Sequence, residues 1–168
     1  METTITTRRA GQLTFDTFEG YAGDVTFHTD HGPVQVWVHI FENASEDDTL
    51  LSRVSGVLDA FPELLQAGRG ALEGDIADGG QALPFVEFHT EELPRPYLDS
   101  VLQKFRTGSI GARQLITQFT PHAFVVMRDD SNQLACWIDF ILPPFESDQV
   151  LTVKFMPDRT VRSVSWES

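Results

Sequence analysis

Short runs in which apolar and polar residues alternate, cut by turn residues, open the chain. Leu13 and Phe15 alternate with polar neighbours, Val25 and Phe27 repeat the pattern after Gly23-Asp24, and Asp30-His31-Gly32-Pro33 marks a turn. The run from Pro33 to Glu42 is the clearest. Val34, Val36, Val38 and Ile40 share one face at period two, while Gln35, Trp37, His39 and Phe41 share the other. This predicts strands over 13–42, with the first face buried and the second partly so.

The period then changes. Ser45-Glu46-Asp47-Asp48 reads as a helix start, a hydroxyl at the cap with carboxylates in the first turn. Leu50, Leu51, Val54, Val57, Leu58 and Phe61 follow at helical spacing. Pro62 opens a second helix whose buried side is Leu64, Leu65, Leu72 and Ile76; Gly68, Gly70 and Gly74 interrupt it and Gly79-Gly80 ends it. Leu83 to Phe88 suits either a short strand or a helix leading through Glu91-Glu92, broken by Pro94 and Pro96. Tyr97, Leu98, Val101, Leu102 and Phe105 restore the helical spacing as far as Gly108, and Leu115, Ile116 and Phe119 predict one more short helix before Pro121.

The tail returns to strands: Ala123 to Met127, Leu134 to Leu142, Val150 to Phe155 and Val161 to Trp166, joined by short turn-rich connections. Such connections favour an antiparallel meander, since parallel neighbours need long crossovers. The order of strands, helices, strands, without βαβ alternation, predicts an α+β fold with helices on one face of a mainly antiparallel sheet. A single domain over 1–168 is expected, with 1–10 as a flexible N-terminal segment; no internal repeat divides it.

Composition sharpens this picture in two respects. The 168 residues, 41% apolar with thirteen phenylalanines, suffice for a continuous core without disulfides or a structural metal. Twelve Lys plus Arg against twenty-five Asp plus Glu leave a formal charge of −13, which repels phosphate backbones and anionic headgroups. Nucleic acid and membrane are thereby disfavoured as partners, and a basic protein is favoured. Cys136 is the only cysteine, so no internal disulfide can form. Neither a signal-peptide pattern at the N-terminus nor a run of eighteen uncharged apolar residues occurs, and a cytoplasmic protein is expected.

Reaction chemistry leaves little trace. His28 and His31 flank a turn, His39 lies on the partly exposed strand face, and His89 and His122 stand alone, so none has the spacing of a helical HExxH or of a CxxC with distal histidines. No metal and no cofactor are expected. Glu42, Glu46, Asp47 and Asp48 lack the alternating ligands and central glycine of a calcium loop, and Gly68 to Gly80 lacks the phosphate-cradling patterns. There is no GxSxG, and Cys136 falls on one strand face with Leu134, Ile138 and Phe140, as a core residue would. Asp139 falls on the opposite face with Ala135, Trp137 and Ile141. It is read as solvent-facing; the alternative is a half-buried carboxyl of raised pKa, which would mark a site. Collectively, Glu87, Glu91, Glu92, Asp129, Asp130, Glu146 and Asp148 are expected to gather around an exposed Trp37 or Trp137, an acidic rim about an aromatic anchor.

The segments Gly20-Tyr21-Ala22-Gly23-Asp24-Val25-Thr26-Phe27 and Pro33-Val34-Gln35-Val36-Trp37-Val38, the acidic helix start at Ser45, and the closing Leu151 to Phe155 and Val164 to Ser168 resemble small bacterial cytoplasmic domains of unknown function. Relatives of such domains are associated with polymorphic-toxin immunity. The resemblance covers both ends, about half the chain. It implies an α+β fold, no established activity and no functional residue. Three functional readings follow from the sequence. The first is a non-enzymatic acidic binding protein, immunity-like, that covers a basic toxin-like partner. The second is a small-ligand or hydrolytic domain with a pocket between helices and sheet and Asp139 or a histidine as general base. The third is a module that forms a homodimer through a sheet edge or exposed aromatics.

Overall fold

Strands β1 (Glu2–Thr7) and β2 (Gly11–Asp16) form an antiparallel hairpin in a computed structural model that describes residues 2–16, 18–45, 48–93, 95–143 and 147–168. Most of the segment expected to be flexible, Glu2–Thr7, is therefore an ordered strand. Its apolar positions explain why: Ile5 is buried together with Leu13 and Phe15 of β2. The hairpin is tied down by polar bonds to helix α1 (Asp48–Asp59), where the Asp59 carboxylate accepts from the Arg8 and Arg9 backbone N–H groups at 2.6 and 3.1 Å.

A six-stranded sheet follows in the order β3-β4-β5-β6-β7-β8, which is also chain order. Its strands are β3 (Tyr21–Thr29), β4 (Gly32–Ile40), β5 (Thr120–Arg128), β6 (Leu134–Ile141), β7 (Val150–Phe155) and β8 (Val161–Glu167). All neighbours are antiparallel except β4 and β5, which run parallel. A parallel pair needs a long connection across one face of the sheet. The whole helical middle supplies it, so the fold is α+β with a C-terminal meander, and the helices form one large crossover.

Four further helices complete that middle: α2 (Phe61–Ala77), α3 (Ala82–Glu92), α4 (Pro96–Arg106) and the single turn α5 (Ala112–Leu115). Leu83 to Phe88 thus lies in a helix and not in a strand. Ser45 does not cap α1. Its hydroxyl donates to the Glu42 carbonyl at 2.9 Å and closes a 3-10 turn over Glu42–Ala44, while Glu46 and Asp47 lie outside the described residues. The turn from α2 into α3 is held by Asp75, whose carboxylate accepts the Ala82 N–H at 2.7 Å. A Cβ at Gly80 would come within 2.0 Å of that carboxylate, which accounts for glycine there.

The core lies between the helices and one face of the sheet. Phe61 of α2 stacks on Phe27 of β3 at 4.3 Å between ring centroids and meets Phe124 of β5 at 5.1 Å. Gly68 lets α2 approach closely: a Cβ built there would stand 3.2 Å from Phe140 Cζ of β6. Val36, Val38, Ile40, Ile138, Leu151 and Val153 are buried on this same inner face. Among the described residues no helix is long and apolar enough to cross a membrane.

Candidate functional site

The opposite face of the sheet carries the side chains that alternate with this core. Cross-strand partners point the same way, so the registers define two rows across β3 to β8. One runs Asp24, Trp37, Ala123, Asp139, Thr152, Ser165, and the next runs Ala22, His39, Val125, Trp137, Lys154, Ser163. Trp37 and Asp139 thus flank Ala123, with their backbones about 10 Å apart at the usual strand spacing. His39 and Trp137 flank Val125 in the same manner.

The local sequence produces a shallow aromatic trough along β5. Ala123 and Val125 are short and make its floor, while the two indoles rise on β4 and β6. Trp37 is 43% exposed and Trp137 is half-buried. Val125 and Ile141, though on this face, are buried. His122 is the extra residue of a bulge in β5, because Pro121 pairs with Phe140 and Ala123 with Asp139. Such a bulge turns the strand locally and re-aims a side chain; His122 is left exposed at the end of the trough.

Asp139 is half-buried, which corrects its assignment to solvent. Burial pushes its carboxyl above the ordinary aspartate value, while hydrogen bonds from Thr152 and Trp137 and the nearby His122 pull the other way and Glu167 adds to the rise. The Thr152 hydroxyl donates to Oδ1 at 2.5 Å. Among the described residues no Lys or Arg forms an ion pair with Asp139, and Lys154, in the next row beside Trp137, pairs with Glu167 at 3.4 Å. A carboxylate removed from water without a cation is costly in the free protein and is met best by a cation brought from outside.

Two concavities occupy this face. One, of about 530 Å³, lies over Trp137, Asp139, Thr152 and Lys154 and reaches Asp129 and Arg162. The other, of about 490 Å³, lies over Asp24, Gln35, Trp37 and His122. The space between helices and sheet is instead packed with fully buried side chains such as Phe27, Phe61, Phe85 and Phe124.

Of the predicted site residues, Trp137, Asp139 and Asp129 line one of these concavities and Trp37 lines the other. Asp129 also shapes the β5–β6 turn, accepting the Ser131 and Gln133 N–H groups at 2.9 Å each. Asp130 is exposed in the same turn. Glu87, Glu91 and Glu92 do not join them: all three are on α3, in the helical layer, and Glu87 pairs with Arg106 of α4 at 2.7 Å. Asp148 is exposed in the connection before β7, and Glu146 lies outside the described residues. Cys136 is buried in the core as expected, its thiol pushed up to about 12 by burial.

His89 is not a surface histidine; it is buried against Phe85, its Nδ1–H donating to the Phe85 carbonyl at 2.8 Å. Thr152, His122 and Asp24 escaped sequence reading, because their place beside Asp139 and Trp37 depends on register across strands far apart in the chain. Among the described residues no group of three or more His, Cys, Asp and Glu side chains is placed to hold a metal ion.

Known proteins add nothing to this geometry. No protein-family model, no curated protein and no solved structure matches the chain. The likeness to immunity-associated domains therefore rests on the sequence patterns alone.

Proposed function

We propose that this chain is a non-enzymatic acidic binding protein that docks a basic protein partner on the open face of its sheet. The observation that carries the reading is Asp139, a half-buried carboxylate without a Lys or Arg ion pair among the described residues, beside Trp137 of its own strand and two strands from Trp37, on the sheet face opposite the helix-packed core. Large aromatic side chains at the centre of a patch supply most of the energy of a protein interface, and a surrounding field of −13 attracts a basic surface and speeds its approach. The charge favours a basic partner, and the association of some relatives of similar domains with toxin immunity makes a toxin-like protein the partner class proposed.

A second reading, Asp139 as a general base, is favoured by its raised carboxyl. The trough is open to water and the hydrogen bonds to Asp139 come from groups that hold it in place, an arrangement better suited to docking than to proton transfer.

The test uses the basic protein retained from a source lysate at low salt, then purified. Its affinity for the intact chain is compared with that for the Trp37→Ala/Trp137→Ala double variant, alongside unfolding curves of both. A loss on the order of 100-fold or more is expected with the fold intact, the scale of two hot-spot side chains. Equal affinity of the double variant, or the absence of any basic protein bound at low salt, would overturn the reading.

A further inference from the structure

The rows on the open sheet face say what kind of side chain the trough receives. Trp37, Ala123 and Asp139 stand in one line across β4, β5 and β6, and Trp137 stands one pair further along β6. Ala123 carries only a methyl group; beyond it the Asp139 carboxylate leans to Thr152 of β7 and lines one concavity with Trp137 and Lys154, while Trp37 lines the neighbouring one with Asp24 and His122. The carboxylate receives a hydrogen bond from the Thr152 hydroxyl on Oδ1. A carboxylate has about four acceptor sites, so acceptor capacity remains for an incoming donor.

We propose that the group which enters this space is an arginine side chain of the partner, its guanidinium on the Asp139 carboxylate and its plane against the Trp37 or Trp137 indole. The inference rests on the docking reading above and names what that docking recognises. A guanidinium fits for three reasons. It is flat and can lie on an indole while its edge donates two parallel bonds to a carboxylate. It is less strongly hydrated than an ammonium, so it loses less on entering a half-buried site. Its charge also meets a half-buried carboxylate that no Lys or Arg pairs among the described residues, Lys154 in the next row being engaged by Glu167. His122, exposed at the end of the trough, and Asp24, beside Trp37, border the space and adjust its charge without filling it.

The experiment titrates the full chain with a capped tetrapeptide, Gly-Arg-Gly-Gly, and with its citrulline and lysine counterparts, following the three indole N–H resonances by NMR. Trp166 is the internal control, because it packs against Phe85 of α3 and its Nε1–H donates to Gln149 at 2.7 Å. The arginine peptide is expected to shift Trp37 and Trp137 saturably and leave Trp166 in place. Citrulline should bind at least ten-fold more weakly and lysine several-fold more weakly. Asp139→Asn should erase the preference for arginine over citrulline, with Trp166 unmoved as proof of an intact fold. Equal binding of arginine and citrulline, equal binding of arginine and lysine, an unchanged preference in Asp139→Asn, or no saturable shift would each overturn the inference. If Trp37 and Trp137 shift regardless of Asp139, the docking face stands and only its arginine specificity is lost. If the shifts fall on α1 to α4 instead, the docking reading falls as well.

Discussion

Asp139 shows how one position can oppose the stability of the free chain. Its native carboxyl titrates above the unfolded value because burial disfavours the charge. The sign follows by linkage: the native state holds this proton more tightly, so the group's contribution is fully present below the unfolded aspartate value and is lost as pH rises through the native one. Asp139→Asn, which fixes the neutral form while keeping an acceptor for Thr152, should therefore raise Tm at pH 7, and the gain should vanish near pH 3. Thermal unfolding across that range checks it, and a variant that is less stable at pH 7 would refute it.

A second residue-scale prediction concerns backbone. Gly11 and Gly20 both have positive φ, 74° and 73°, but a Cβ meets nothing within 4 Å at Gly11 and the Ile40 carbonyl oxygen at 2.1 Å at Gly20. Gly11→Ala should cost about 1–2 kcal/mol, the ordinary penalty of left-handed backbone. Gly20→Ala should cost clearly more in the same urea titration.

At the scale of elements, α2 is where glycine has two opposite meanings. Gly68 faces the buried Phe140 ring, whereas a Cβ at Gly74 meets nothing within 4 Å. Gly74→Ala should stabilise by about 0.5–1 kcal/mol through helix propensity alone, and Gly68→Ala should destabilise by pushing α2 off the sheet. Helix α3 supplies a control for the site: Glu87→Gln should cost less than about 1 kcal/mol, as expected for an exposed pair with Arg106, and leave partner affinity unchanged.

Elements were also the most legible level of the sequence. Period-two runs marked the strands of the large sheet because one face is buried, and Pro62 opened a helix because proline suits a first turn; Pro96, read only as a breaker, opens α4 for the same reason. The hairpin strand β1 was missed since Thr3, Thr4, Thr6 and Thr7 dilute its single apolar residue, Ile5, to no visible period. The Ser45 cap failed because the helix begins later, at Asp48, and Ser45 closes the preceding 3-10 turn over Glu42–Ala44.

For the whole molecule, the sequence yielded the charge and the tryptophans but not their meeting. Trp37 and Asp139 come together only through the parallel β4–β5 pair, which joins strands separated by the entire helical middle. No local pattern encodes such a pairing, so Glu87, Glu91 and Glu92 looked as near to the tryptophans as Asp129 did. At this scale the −13 charge also sets two copies of the chain against each other. Light scattering should find a monomer at low salt, and the association rate with a basic partner should fall at least ten-fold as ionic strength rises toward 0.5 M, where the screening length is only a few ångströms.

The most direct measurement is NMR cross-saturation in the complex with a basic partner, which transfers magnetisation only to side chains at the interface. Transfer to Trp37, Ala123, Val125 and Trp137, with α1 to α4 unaffected, is the predicted result. Transfer confined to the helical layer would contradict the open sheet face as the place where this protein binds.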